Sequence, residues 1–107
     1  MPVVYNVTII IDHSVHDEWV DWMKNEHIPE VMATGKFTSW KMLRIIEDHN
    51  PDGMTYAIQY HAPDMEAYLT YQNECAPTLQ QDAQNKFGGL FGAFRTCMEV
   101  IEESHSS

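Results

Sequence analysis

Along residues 3–11 the chain alternates: Val3, Tyr5, Val7, Ile9 and Ile11 fall on one face, Val4, Asn6, Thr8 and Ile10 on the other. The period of two and the β-branched composition predict a strand. The period then changes. Val15, Trp19, Trp22 and Met23 recur at i, i+4, i+7 and i+8, the stripe of an amphipathic helix. Ser14 is placed to cap it, with Asp17 and Glu18 near the positive end of its dipole. Pro29 cannot continue the helix without losing a hydrogen bond and clashing one turn back, but it can open a new turn. The helix is therefore expected to stop or kink near His27, leaving "PEVMAT" as a short second piece closed by Gly35. A second strand is predicted from Phe37 to Glu47, a turn at Pro51-Asp52-Gly53, and a third strand over Met54–His61. A second helix starts near Asp64, with Met65, Tyr68, Leu69 and Gln72 on a common face. Pro77 interrupts it, and helix continues to about Asn85. The last strand runs from Leu90 to about Ile101, and "EESHSS" (102–107) is expected to be a disordered acidic tail.

The two halves echo one another. "NEHIPEV" at 25–31 answers "NECAPTL" at 73–79, Trp19 and Trp22 answer Tyr68 and Tyr71, Lys36-Phe37 answers Lys86-Phe87, and Arg44 answers Arg95. A split βαβ unit stated twice is the ferredoxin-like plan. The predicted fold class is therefore α+β, a single βαββαβ domain over residues 1–101. Its sheet is four-stranded and antiparallel in the order 4-1-3-2, with helices on one face. The repeated phrase marks the corner where each helix breaks and returns to the sheet. Strand one is apolar on both sides, and strand three carries Met54, Tyr56, Ile58 and Tyr60 on one side. A solvated sheet face would not carry so many large apolar groups. A second copy packed face to face, giving a dimeric α+β barrel, is the expected solution. Strands two and four would form the edges, guarded by Lys41, Arg44 and Arg95.

Charge narrows the partners. Sixteen acids against six bases give a formal net charge of −10. Nucleic-acid binding is disfavoured, because that affinity rests on Lys and Arg neutralising phosphates. Docking on anionic lipid is disfavoured for the same reason. "MPVVYNVTIIID" has no basic n-region and too short an apolar run for a bilayer span, which points to a cytoplasmic protein without a membrane association. Cys75 and Cys97, the only two cysteines, read as buried thiols.

Several segments together resemble a known family. They are "YNVTIIID", "DEWVDWMKNEHIPEVMATGKFTSWKMLR", "YAIQY" and the late "KFGG…FRT". The chain is similar, over nearly its whole length, to small bacterial proteins grouped only as a domain of unknown function. The run W-x-x-W-M-x-x-x-H-I-P-E-V-x-x-x-G-x-F is the most specific part. More distantly, the helix ending in His-x-Pro resembles the dimeric α+β barrel superfamily, which includes cofactor-free monooxygenases, heme-degrading monooxygenases and EthD-like proteins. That resemblance implies a homodimer and a cavity between helices and sheet, and no particular reaction.

Candidate chemistry centres on His27. It lies four residues after Met23, beside the apolar stripe, where a neutral imidazole could act as a general base or bond a ligand. The structural alternative, which is the commoner use of such a residue, is that it satisfies carbonyls freed by Pro29. Asn6 sits mid-strand among apolar neighbours and needs partners if buried. It is the candidate orienting group. In heme-degrading relatives an Asn on the first strand acts with a Trp and a His, so the resemblance makes Asn6, Trp40 or Trp22, and His27 the stand-ins, although their spacing matches poorly. Trp19, Trp22, Trp40, Tyr56 and Tyr60 could line a pocket or simply fill the core. Arg44 and Arg95 could hold a carboxylate, against the alternative of edge or interface ion pairs. Asp48-x-Asn50-x-Asp52-Gly53 has the first half of an EF-hand spacing, but position twelve is Gln59 and strands flank it, so calcium is not expected. His13 and His16 with Asp12 and Asp17 could catch a surface metal only adventitiously. No cofactor or resident metal is expected.

These readings converge on a small apolar or aromatic ligand in a cavity near His27, Asn6, Trp22, Trp40, Tyr56 and Arg44. It would be bound, or turned over by monooxygenase-like or isomerase-like proton abstraction. The alternative is a non-catalytic dimeric interaction module. The two differ on whether the helix–sheet space is open or filled by tryptophans.

Overall fold

A computed structural model describes residues 1–104. Four strands, β1 (Val3–Asp12), β2 (Ser39–Arg44), β3 (Gly53–Ala62) and β4 (Phe91–Glu99), form one antiparallel sheet in the order β2-β3-β1-β4. This is the predicted order read from the other end. Helices α1 (His16–Trp22), α2 (Ile28–Ala33), α3 (Met65–Glu74) and α4 (Ala76–Phe87) supply the remaining elements. Of the expected tail, residues 102–104 are exposed and without regular structure, and 105–107 lie outside the described residues.

The two prolines meet opposite local solutions. Pro77 falls at the first turn of α4, and Cys75 (φ −115°) separates that helix from α3. Pro29 falls at the first turn of α2, and the α-helical pattern is interrupted near His27 as expected, though the chain stays helical through the break. Met23–His27 forms a π-helical turn joining α1 to α2, in which the Ile28 N–H donates to the Met23 carbonyl, five residues back. A proline removes one amide donor and crowds the carbonyl a turn earlier. Widening the turn relieves the crowding without ending the helix, and such π turns are frequent at functional sites. The start of the helical run also differs from expectation. Asp12, not Ser14, is the cap: its Oδ1 accepts from the Ser14 amide (2.9 Å) and hydroxyl (2.6 Å). Gly35, at φ +76°, closes α2 as predicted.

Strand β2 is shorter than its predicted span. Phe37 is buried in an aromatic cluster ahead of it, and beyond Ile45 the chain turns into a loop closed by its own polar side chains. Asp48 accepts from the amides of Asn50 (3.1 Å) and Thr55 (2.7 Å), and Asn50 accepts from the Asp52 amide (3.0 Å). The EF-hand-like spacing is thus a hairpin that satisfies itself. The loop ends at Gly53, where a Cβ would stand 2.5 Å from the Ile11 carbonyl oxygen. Gly53→Ala should cost about 2 kcal/mol, as an overpacked site with backbone as the obstacle does. A thermal melt checks this, and an unchanged melting point would mean that the start of β3 is free to shift.

The core lies between the sheet and the helices. Val3, Tyr5, Ile9 and Ile11 of β1 and Ile58 and Tyr60 of β3 meet Trp19, Met23, Ile28, Val31, Leu79 and Phe87. Tyr5 sits in a knot with Phe37, Tyr60, Tyr68 and Tyr71, at ring-centroid distances of 5.4–6.1 Å. One expectation is corrected here. Met54, Tyr56, Ile58 and Tyr60 share the face that holds Ile58 and Tyr60 against the helices, so they do not make the other face apolar. The other face carries Asn6, Thr8, Gln59 and His61 mixed with exposed Leu43, Phe94 (61% accessible) and Met98. Neither cysteine is fully buried: Cys75 is half-buried and Cys97 exposed, both as free thiols. No helix among the described residues is long and apolar enough to cross a membrane.

Candidate functional site

The π turn decides where His27 goes. It brings the imidazole onto the face of Trp22, at 4.7 Å between ring centroids and 25° between planes. Trp22 in turn meets the edge of Phe87, the last residue of α4 (5.4 Å, 66°). Below this stack, Val7 and Ile9 of β1, Ile58 of β3 and Ala93 of β4 form an apolar floor, and Leu79 and Ala83 of α4 form a wall. They enclose a cavity of about 40 Å³. That is room for roughly three water molecules, since one needs about 10–15 Å³ of such space. The Tyr5 knot fills the neighbouring part of the helix–sheet space, which is why the cavity is small.

Outside the cavity, between α4 and the edge strand β4, lies an open basin of about 410 Å³. Gln80, Phe91, Ala93 and Arg95 line both spaces, so the two adjoin. The basin adds Pro77, Gln81 and Gln84. Arg95 is the one cationic residue on either wall.

His27 has no hydrogen-bond partner at Nδ1, which is buried. Burial depresses its pKa from 6.5 to about 4, opposed by the negative charge of Asp82 and reinforced by Arg95. The imidazole is therefore neutral at pH 7, and Nδ1 is not used on the carbonyls near Pro29. Burial raises the Tyr5 hydroxyl above its ordinary range, against the lowering effect of its contact with Arg95. Burial likewise pushes Tyr60 and Tyr71 far up, so both stay protonated.

Of the residues singled out from sequence, the structure brings His27, Trp22, Trp19, Tyr60 and Arg95 to one cavity and places Asn6, Trp40, Tyr56 and Arg44 elsewhere. Asn6 lies on the opposite face of the sheet, donating from Nδ2 to Thr8 Oγ1 (3.0 Å). Alternation along β1 requires this, because Tyr5, Val7 and Ile9 face the cavity. Asn6 is thus no orienting partner for His27. Trp40 is on the edge strand β2, 41% accessible and away from the cavity. Tyr56 packs against Trp19 (5.1 Å) and bonds His16. In the tautomer whose Nδ1–H donates to Asp17 (2.8 Å), His16 Nε2 accepts the Tyr56 hydroxyl (2.6 Å). Arg44 borders a separate surface depression with Ile45 and Asp48. Gln80, Phe87 and Phe91 have no place among the sequence candidates, and Arg95 is there as a possible carboxylate holder or an edge charge. The register signal for Arg95 was present, since it pairs with Val7 on the cavity face.

A heme does not fit these residues. Its stand-in trio is split by the sheet, with Asn6 on the face opposite His27 and Trp22.

Topology and site together define an α+β protein of ferredoxin-like fold with a pocket between sheet and helices. Solved structures agree on the fold. The heme-degrader MhuD from Mycobacterium tuberculosis matches at TM-score 0.68 and 19% identity, covering 96% of this chain and 99% of that one. SnoaB from Streptomyces nogalater, a cofactor-independent oxygenase, matches at TM-score 0.68 and 13% identity, covering 96% and 97%. An ethyl tert-butyl ether D (EthD) family protein from Bacillus halodurans matches at TM-score 0.68 and 14% identity, covering 92% and 99%. Comparison with curated proteins finds no match. Residues 2–101 match the family described as Domain of unknown function (DUF4286), and the chain belongs to it.

Proposed function

We propose that the protein binds a small apolar or aromatic molecule in the pocket beside Trp22 and His27, and turns it over by cofactor-free, monooxygenase-like proton abstraction. The observation that carries this reading is His27: a neutral imidazole in an apolar pocket whose buried Nδ1 bonds nothing. Buried polar nitrogens ordinarily have partners, and an exception calls for a reason. A ligand hydroxyl or acidic C–H is the partner that such a nitrogen can serve. When the ligand gives up its proton, the resulting anion beside the imidazolium raises the proton affinity of His27 from its low resting value. The likeness to a protein described as a cofactor-independent oxygenase supports the reaction class.

The resting cavity is too small for an aromatic ring, so binding displaces the Trp22–His27 stack toward the mouth. Tryptophan emission then reports on it. In a thermal-shift screen over naphthols, hydroxynaphthoquinones and flavins, a ligand at 100 times its dissociation constant should add about 2.7 kcal/mol to stability. It should quench tryptophan, and His27→Ala should abolish turnover. Stability unchanged across those classes would leave the interaction module as the better reading.

We further place the protein in the cytoplasm as a homodimer. Free Cys75 and Cys97 suit a reducing compartment. Exposed Phe94, Leu43 and Met98 on the uncovered sheet face supply an apolar surface for a second copy.

A further inference from the structure

We infer that the molecule taken by this site is an amphipathic anion, with an apolar ring in the chamber beside His27 and Trp22 and a carboxylate on Arg95 in the glutamine-lined basin. This rests on the pocket being a ligand site, as proposed above.

Three observations carry it. The site has two adjoining parts of opposite character: an apolar chamber of about 40 Å³ and an open basin of about 410 Å³ with an amide-rich wall. Gln81 already donates to Asn85 (2.8 Å), but the Gln80 and Gln84 amides of this wall can bond the polar end of a ligand, which one apolar throughout would lack. Arg95 stands at the neck, lining both parts. It comes from the cavity face of β4, directly across from Val7. The third observation is that Arg95 is exposed at this wall and, like the other Lys and Arg side chains among the described residues, makes no ion pair. Beyond its contact with the Tyr5 hydroxyl, the guanidinium has donors free for a ligand, and its planar fork matches a carboxylate with two parallel hydrogen bonds.

The anion also fits the base. The charge of Arg95 works against protonation of His27, and Asp82 works for it. A carboxylate on Arg95 offsets that repulsion, so the group that anchors the ligand also strengthens the base.

A matched pair of probes tests the inference: 2-naphthoate, ionised at pH 7, and its methyl ester, with the same ring and no charge. Dissociation constants come from tryptophan quenching and calorimetry on wild type and on Arg95→Gln. Circular dichroism and melting point confirm that the variant is folded. 2-Naphthoate should bind wild type at least tenfold more tightly than the ester, a preference that charge-assisted bonds to one guanidinium can supply. Arg95→Gln should bring the two within about twofold by weakening the acid alone, and Arg95→Lys should restore part of the preference. Equal binding of acid and ester to wild type, or a preference that survives in Arg95→Gln, overturns the inference and leaves the pocket standing. Binding of neither probe overturns the pocket reading and the inference with it.

Discussion

His27→Leu should stabilise the protein at low pH by about 3 kcal/mol relative to wild type, and should flatten the pH dependence of unfolding between pH 6.5 and 4. The folded imidazole has its pKa lowered from 6.5 to about 4, chiefly by burial. Between those values the unfolded chain binds a proton that the folded chain does not, so wild-type stability falls as pH falls through this window. About 2.5 pH units at 1.36 kcal/mol each gives the size. The charged neighbours are Asp82, which opposes the shift, and Arg95, which favours it. Asp12 and Asp48 also have lowered pKa values, from hydrogen bonds to Ser14 and to Asn50 and Thr55. Their contributions are lost only at still lower pH and are common to both proteins, so the difference between the two curves isolates His27. Urea unfolding at pH 7, 5.5 and 4 measures it. Parallel curves would mean that the imidazole is hydrated and not held neutral by the pocket. At pH 7 the leucine should be neutral to mildly stabilising, because it removes a buried nitrogen without a partner.

Trp19→Ala should be the most damaging single truncation, at about 3–5 kcal/mol. Trp19 is 2% accessible, the largest fully buried side chain, and packs on Tyr56 from the helical run that carries His27. For a domain near this size each kcal/mol moves the melting point by about 4–8 °C, so the variant should melt well below wild type. Trp22→Ala should cost clearly less, since Trp22 is only half-buried at the pocket mouth. It should also tighten ligand binding by opening the chamber. Equal losses for the two would mean that Trp22 is core, and the pocket no more than a packing gap. Circular dichroism melts on both variants decide between these outcomes.

The contrast between the two tryptophans marks the limit of what pattern can tell. Both lie on the same helical stripe, three residues apart, and periodicity alone gives them the same role. What separates them is the neighbour that each meets: Tyr56 of β3 for Trp19, and the end of α4 for Trp22. Asn6 is the converse case. Its parity opposite Tyr5 and Val7 was legible from the first strand, and that alone puts it behind the sheet from His27. Arg95 was legible in the same way once its strand was paired with β1. Gln80 and Phe91 were not, because a basin between two elements has no signature in either one.

The sequence by itself determined the fold: strand and helix periods, two proline corners and an internal repeat fix the element order, and local chemistry is enough to write it. It also determined that Gly35 ends a helix and that Asp48-x-Asn50-x-Asp52-Gly53 is a turn. Only the tertiary structure decided that Pro29 widens a helix where Pro77 breaks one. The same residue type faced different packing, and the helix that could stay docked by forming a π turn did so. Only the tertiary structure decided, too, that the tyrosine knot leaves one narrow chamber at the α4–β4 end, with an imidazole above it and a guanidinium at its mouth. A void is what close packing leaves over, set by side chains distant in sequence, and no local pattern encodes it.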